Sequence, residues 1–106
     1  MPTLLTPAEL VARRTSGELW QLLDVRQPWE FEIASVAGAL FMPMPEVPAR
    51  VAELDPAEPI AVLCHTGVRS ARVAGWLLAN GFATVANVEG GIEAWSKAVD
   101  GSVPRY

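Results

Sequence analysis

Short apolar runs alternate along this chain with segments whose apolar residues recur at helical spacing. A run of four to eight apolar residues bounded by turn-forming residues is typical of a buried strand in a parallel sheet. Such runs predict strands within residues 19–25, 39–43, 59–64 and 82–88. The run at 59–64, which ends in a cysteine, is the most strand-like of them.

Helix signals fill the intervals between these runs. Thr6 and Glu9 have the spacing of a capping box, which predicts that a helix begins there, and Gly17 is expected to end that region. Gly81 stands where the longest predicted helix would end. The other helices are predicted at 28–33, at 45–54 with Pro48 confining the helix to the residues after it, at 68–80, and at 92–99.

The alternation of strands and helices predicts an α/β fold, in which a parallel sheet is covered by helices on both faces. A chain of 106 residues without repeats or obvious linkers is expected to form one domain, residues 1–106. In sheets of this kind, ligands bind beyond the carboxyl ends of the strands. Cys64 lies at such an end, directly after an apolar run.

Composition and charge narrow the range of functions. Because 51% of the residues are hydrophobic and 19% are charged, a globular fold is expected, and a net charge of −4 argues against a nucleic-acid partner. One cysteine excludes an internal disulfide and a cysteine-rich zinc site, and we expect neither a metal nor a cofactor. The amino-terminal residues lack a basic segment followed by a long apolar run. This predicts no signal peptide, no membrane span and a cytoplasmic location.

Candidate chemistry is concentrated in the segment CHTGVRS, residues 64–70, between a predicted strand and a predicted helix. If the backbone curls round the Cys64 sulfur, several N–H groups point inward, and Gly67 permits the tight turn that this requires. The amino terminus of the following helix adds partial positive charge, which favours a thiolate. Arg69 adds a planar cation suited to an oxyanion substrate. We therefore expect Cys64 to be the nucleophile of an anion-binding loop.

Three other interpretations of Cys64 compete with this one. A lone cysteine after an apolar strand is often a small core residue, but the order of cysteine, glycine, arginine, serine and helix argues against that. A Cys–His protease is rejected because the only histidine, His65, is the immediate neighbour of Cys64 in the chain. Cysteine phosphatases have the spacing Cys-x5-Arg, whereas Cys64 and Arg69 have Cys-x4-Arg. The tighter ring of N–H groups should fit a smaller anion, such as a cysteine-bound persulfide.

Three segments together resemble a single-domain rhodanese, a sulfurtransferase: LLDVRQPWEFE at 22–32, CHTGVRS at 64–70 and VEGGIEAW at 88–95. The resemblance covers nearly the whole chain and implies a five-stranded parallel sheet with helices on both faces. It implies that Cys64 carries sulfane sulfur and that the rest of the loop binds the substrate anion. The loop residues concerned are His65, Thr66, Gly67, Val68, Arg69 and Ser70.

The resemblance also implies partners. The donor would be a small sulfur-containing anion such as thiosulfate, or a persulfide, and the acceptor would be cyanide, a thiol or a sulfur-accepting protein. His65 and Thr66 occupy places where some members of the family have arginine or lysine, which favours a persulfide over doubly charged thiosulfate. Ser35 replaces a histidine that many members have at a position usually discussed as structural.

Two other functions stay open at this point. One is a non-catalytic rhodanese-like interaction or regulatory module, against which the intact cysteine argues. The other is a cysteine phosphatase or arsenate reductase, against which the short loop argues. Asp24 and Arg26 could touch substrate, but a structural salt bridge or loop hydrogen bond is favoured for them, and Glu30 and Glu32 are interpreted as stabilisers of a helix start. The four tryptophans are expected to be packing residues. The glycine pair at 90–91 is expected to allow a tight turn.

Overall fold

The computed structural model describes residues 2–106, which form a five-stranded parallel sheet with helices on both faces. The strands lie in the spatial order β1-β5-β4-β2-β3, and every neighbouring pair is parallel. The α/β prediction is therefore confirmed. The strands are β1 (Thr3–Leu5), β2 (Gln21–Asp24), β3 (Leu40–Phe41), β4 (Ile60–Leu63) and β5 (Val85–Val88).

The helices begin close to where the sequence predicts them. The capping box of the first helix is confirmed, because the Thr6 hydroxyl accepts from the Glu9 N–H at 3.1 Å and the Glu9 carboxylate accepts from the Thr6 N–H at 2.9 Å. Gly81, just beyond the fourth helix, has a left-handed φ of +94°. The helices are α1 (Pro7–Thr15), α2 (Pro28–Ile33), α3 (Val47–Arg50), α4 (Val68–Ala79) and α5 (Gly91–Ala98).

The segment after β3 differs from the prediction of one helix beginning beyond Pro48. A 3-10 turn at Met44–Glu46, the short helix α3 and a second 3-10 turn at Val51–Glu53 follow one another. Proline is tolerated in the first turn of a helix, where its missing N–H has no partner to lose. Pro48 therefore lies inside the first turn of α3 rather than before it.

The hydrophobic pattern did not predict the edge strand β1. It has only three residues, and Leu5 alone among them is buried. It pairs with β5 in parallel, with Leu5 opposite Val88, and the Leu5 carbonyl accepts from the Glu89 N–H at 2.8 Å. So short a strand leaves no periodic signal, and its existence depends on the exposed edge that β5 offers.

Two apolar layers enclose the sheet because side chains alternate along each strand. Ala61 and Leu63 of β4 face the layer of α1 and α5, and Ile60 and Val62 face the layer of α3 and α4. Cys64 continues the second set and packs on the α4 side. The alternation decides which helices surround the sulfur.

Three adjacent strands place their carboxyl ends at one edge of the sheet. From β4 the chain enters the loop of Cys64 and then α4. From β2 it passes through Asp24 and Arg26 to α2, and from β5 through Gly90 to α5. All three connections that carry the sequence motifs therefore converge on one edge.

Candidate active site

The backbone after β4 folds round the sulfur of Cys64. The Gly67 N–H donates to Cys64 Sγ at 3.1 Å, which closes a small ring of residues 64–67. Gly67 has a φ of +108°, a conformation that side chains with a Cβ rarely adopt. The predicted role of Gly67 as the turn residue is confirmed. Cys64 itself is only 1% exposed.

Two carbonyl groups of the loop, those of Cys64 and His65, bond to the first turn of α5. The Cys64 carbonyl accepts from the Ile92 N–H at 2.9 Å, and the His65 carbonyl accepts from the Glu93 N–H at 3.1 Å. The backbone N–H groups at 65, 66 and 68–70 donate to no acceptor within residues 2–106. These N–H groups and the amino terminus of α4 are thus available to an anion at the loop.

Gly91 allows α5 to approach this closely. A Cβ on Gly91 would collide with the carbonyl oxygens of Cys64 and His65, so no other residue fits without displacing the loop. Gly90 and Gly91 both have positive φ, as expected of a tight turn. The close contact between Gly91 and the loop is an additional requirement that sequence reasoning missed.

A buried polar chain lies behind the sulfur. Ser70 Oγ is 3.2 Å from Cys64 Sγ and donates to Asn87 Oδ1 at 2.5 Å. Asn87 Nδ2 donates in turn to the Gly67 carbonyl at 3.0 Å. Asn87 was not anticipated as a site residue. The only signal for it was a polar residue within the otherwise apolar strand β5.

Arg69 is held by a carboxylate from α2. Its Nη1 and Nη2 donate to Glu30 Oε1 and Oε2 at 2.5 and 2.8 Å, and this pairing lowers the pKa of Glu30 to about 2. Hydrogen bonding to Glu30 likewise raises the pKa of Arg69. Glu30 also accepts from the Gln27 N–H at 3.0 Å, which matches its expected role at a helix start. Its second role, neutralising the cation of the loop, was missed.

Tyr106 joins this ion pair to the rest of the site. Its hydroxyl donates to Glu30 Oε2 at 2.6 Å and accepts from Arg26 Nη1 at 3.0 Å. Its ring stacks on His65 with centroids 4.0 Å apart. Burial raises the pKa of Tyr106 to about 12, so the hydroxyl keeps its proton at neutral pH. His65 thus lines the mouth of the site against an aromatic ring, and no sequence signal pointed to Tyr106.

Asp24 and Arg26 form a completely buried salt bridge, one of the two structural roles expected of them. Arg26 Nη2 donates to Asp24 Oδ2 at 2.6 Å and to the Ala34 carbonyl at 2.6 Å. Burial lowers the pKa of Arg26, but its hydrogen bonds and charged partners outweigh burial and raise it overall. Arg26 also donates to the Glu30 carbonyl, so the salt bridge holds in place the helix α2 that carries the Glu30 side chain.

Apolar and polar side chains are both exposed near the loop. Val68 is 66% exposed. Trp29 is 54% exposed and is therefore not the packing residue expected, whereas Trp20 and Trp95 are buried packing residues. Thr66 is also exposed. The loop thus places a buried sulfur beside N–H groups that have no acceptor among residues 2–106, an arrangement that can bind a small anion.

The comparisons with known proteins agree with this geometry. The family described as Rhodanese-like domain matches residues 6–98. The chain is 44% identical over 90 residues to the Rhodanese-like/PpiC domain-containing protein 12, chloroplastic, of Arabidopsis thaliana, a match that covers 81% of this chain and 30% of that protein. It is 33% identical over 76 residues to a Sulfurtransferase of Allochromatium vinosum, covering 72% of this chain and 71% of that relative.

The solved structures give the same result. A Rhodanese-like Domain Protein from Staphylococcus aureus has a TM-score of 0.84 at 31% identity, with 98% of each chain covered.

Within residues 2–106, no helix has the length and apolar character required to cross a membrane.

Proposed function

This chain belongs to the rhodanese-like domain family, and on that premise we propose that it is a sulfurtransferase that carries sulfane sulfur on Cys64. The observation that supports this most directly is the hydrogen bond from the Gly67 N–H to Cys64 Sγ, in a loop whose N–H groups at 65, 66 and 68–70 have no acceptor among the described residues. A donor of this kind stabilises negative charge on sulfur. The relative from Allochromatium vinosum, named Sulfurtransferase, supports the same activity.

The proposed reaction has two steps. The Cys64 thiolate attacks the outer sulfur of thiosulfate, a new S–S bond forms, and the old S–S bond breaks with its electron pair leaving on sulfite. With a persulfide donor, the leaving group is the donor thiolate. A thiolate or cyanide acceptor then attacks the outer sulfur of the Cys64 persulfide, and the electron pair of that bond returns to Cys64. Charge and atoms balance in both steps without an external oxidant.

The loop favours a donor of low charge. Glu30 neutralises Arg69 through two hydrogen bonds, and Asp24 neutralises Arg26 through three. The backbone N–H groups then supply most of the anion binding, which suits a persulfide better than doubly charged thiosulfate. We therefore propose a persulfide as the physiological donor and a thiol as the acceptor.

The test is the mass of the intact protein after incubation with thiosulfate or glutathione persulfide. We expect the mass of one added sulfur atom, its removal by a reducing thiol, and neither adduct nor turnover in Cys64→Ser. Aryl phosphate serves as a control substrate, because a phosphatase would hydrolyse it. Turnover that persists in Cys64→Ser, or wild-type protein that hydrolyses aryl phosphate and gains no sulfur, would overturn the proposal. Wild-type protein inert to every substrate would indicate the non-catalytic module instead.

A further inference from the structure

The polar chain behind Cys64 has a defined direction. The Gly67 carbonyl can only accept a hydrogen bond, so the atom of the Asn87 amide that faces it must be the nitrogen. The Asn87 oxygen therefore faces Ser70. Because an amide oxygen cannot donate, the Ser70 hydroxyl must supply the proton of the 2.5 Å bond between them.

The direction of the Ser70–Asn87 hydrogen bond determines whether the Ser70 hydroxyl can donate to the sulfur or only accept from it. A hydroxyl has one proton, and Asn87 already takes it. The 3.2 Å contact between Ser70 Oγ and Cys64 Sγ can then be a hydrogen bond only if the sulfur donates. The arrangement is thus complementary to a Cys64 thiol, which donates to Ser70 and accepts from Gly67. From the sequence of the loop alone, a thiolate is expected instead.

We propose that Asn87 is a positioning residue that holds the Ser70 hydroxyl as an acceptor and so keeps Cys64 protonated until the site is used. When the thiol releases its proton to solvent, the Ser70 hydroxyl turns to donate to the thiolate and gives up its bond to Asn87. The inference rests on the proposed function only in taking Cys64 as the reactive group. It adds a resting state in which the sulfur carrier is less open to oxidation.

The charged groups around Cys64 do not take part in the hydrogen bonds that join Cys64, Ser70 and Asn87. Arg69 on α4 is paired with the Glu30 carboxylate from α2. His65 stacks on Tyr106, and the Glu93 carboxylate of α5 pairs with Lys97 and Arg105. Substitutions at Ser70 and Asn87 leave all of these groups in place.

The first experiment measures the rate at which iodoacetamide alkylates Cys64 as a function of pH. Asn87→Leu frees the Ser70 hydroxyl to donate to sulfur, so the midpoint of the profile should fall by about half a pH unit to one unit. In a Ser70→Ala background, Asn87→Leu should move the midpoint by less than about a third of that amount. No shift, a rise, or an equal shift in both backgrounds would overturn the proposal, because Asn87 would then not act through the hydroxyl.

A second measurement uses only the wild type and Ser70→Ala, in case Asn87→Leu does not fold. Cys64 is the only cysteine, so the infrared S–H stretching band of the protein comes from this residue alone. At neutral pH the wild type should show the band at the lower frequency of a donating thiol, and Ser70→Ala should move it upward. A missing band, or one that Ser70→Ala leaves unchanged, would contradict the proposal. Both measurements omit any sulfur donor, so they stand apart from the test of sulfur transfer.

Discussion

At the scale of single residues, Arg69 both stabilises the folded structure and lies in the candidate site. Its guanidinium pairs with Glu30, whose side chain is 3% exposed, while Arg69 itself is 30% exposed. The planar fork of arginine matches both oxygens of a carboxylate, and an ammonium group does not. The same residue that was predicted to bind substrate therefore also stabilises a buried charge.

Arg69→Ala should reduce both stability and sulfur transfer. It leaves the Glu30 carboxylate buried without its main partner, which costs about 2 kcal/mol after allowance for the partial exposure of the pair. Arg69→Lys should recover part of the stability and less of the kcat/KM for thiosulfate, because the fork is lost. Urea unfolding and steady-state kinetics measure the two effects.

Arg72→Ala is the matched control for this comparison, since it removes the same charge one turn further along α4 from an exposed side chain. It should leave stability nearly unchanged. If Arg69→Lys equalled the wild type in both stability and kcat/KM, the bidentate geometry would have no role. If Arg72→Ala were as harmful as Arg69→Ala, the effect would come from helix charge alone.

At the scale of elements, the amino terminus of α5 supports the loop that follows β4. Two N–H groups of its first turn, from Ile92 and Glu93, bind the carbonyls of Cys64 and His65. Because residue 91 is a glycine, the two N–H groups can approach the carbonyl oxygens to 2.9 and 3.1 Å. These two bonds hold the start of the loop in the conformation in which the Gly67 N–H donates to the Cys64 sulfur.

Gly91→Ala should therefore damage both fold and activity. The new methyl group would press on two backbone oxygens, and the φ of +59° is itself unfavourable for alanine, so we expect a loss of more than about 2 kcal/mol. Sulfur transfer should fall because the loop is displaced. Thermal unfolding and the rate of persulfide formation measure these effects.

Gly75→Ala is a control variant whose stability should change in the opposite direction. Gly75 lies within α4, and a Cβ there would meet no atom within 4 Å. Alanine in a helix interior is favoured over glycine by roughly 0.5–1 kcal/mol, so this variant should be more stable than the wild type. Equal stability of Gly91→Ala and Gly75→Ala would show that the contact between α5 and the loop does not matter.

At the scale of the whole molecule, we expect acid stability to depend strongly on the buried Glu30 carboxylate. The pKa of Glu30 falls from 4.5 to about 2, mainly through its hydrogen bonds with Arg69. A lowered pKa in the folded state stabilises the protein above the pKa of the unfolded state, and this contribution is lost as the pH falls through the folded value. The difference corresponds to a contribution on the order of 3 kcal/mol.

Glu30→Gln mimics the protonated carboxyl group and tests this dependence. Above about pH 4.5 the variant should be less stable than the wild type by an amount on the order of 3 kcal/mol. The difference should shrink as the pH approaches 2. Glu53→Gln, at an exposed ion pair with Arg50, should change stability little at any pH. A difference between Glu30→Gln and wild type that is constant from pH 7 to pH 2 would contradict the expected titration.

Signals between residues close in the chain were sufficient to predict most elements and the centre of the site. Thr6 and Glu9 define a helix start within one turn, and the apolar run before Cys64 defines the central strand. Gly67 between Cys64 and the helix marks the turn round the sulfur. Such features depend on propensity, capping and turn chemistry, which act over a few residues and can therefore be inferred from the sequence.

Tertiary structure alone decided how these elements complete the site. Asn87 meets Ser70 across 17 positions, Glu30 meets Arg69 across 39, and Tyr106 meets Glu30 across 76. The edge strand β1 exists because β5 offers it a partner. Contacts of this range depend on strand order and on which face each side chain takes. No local pattern specifies them, since they form only when the parallel sheet brings three strand ends to one edge.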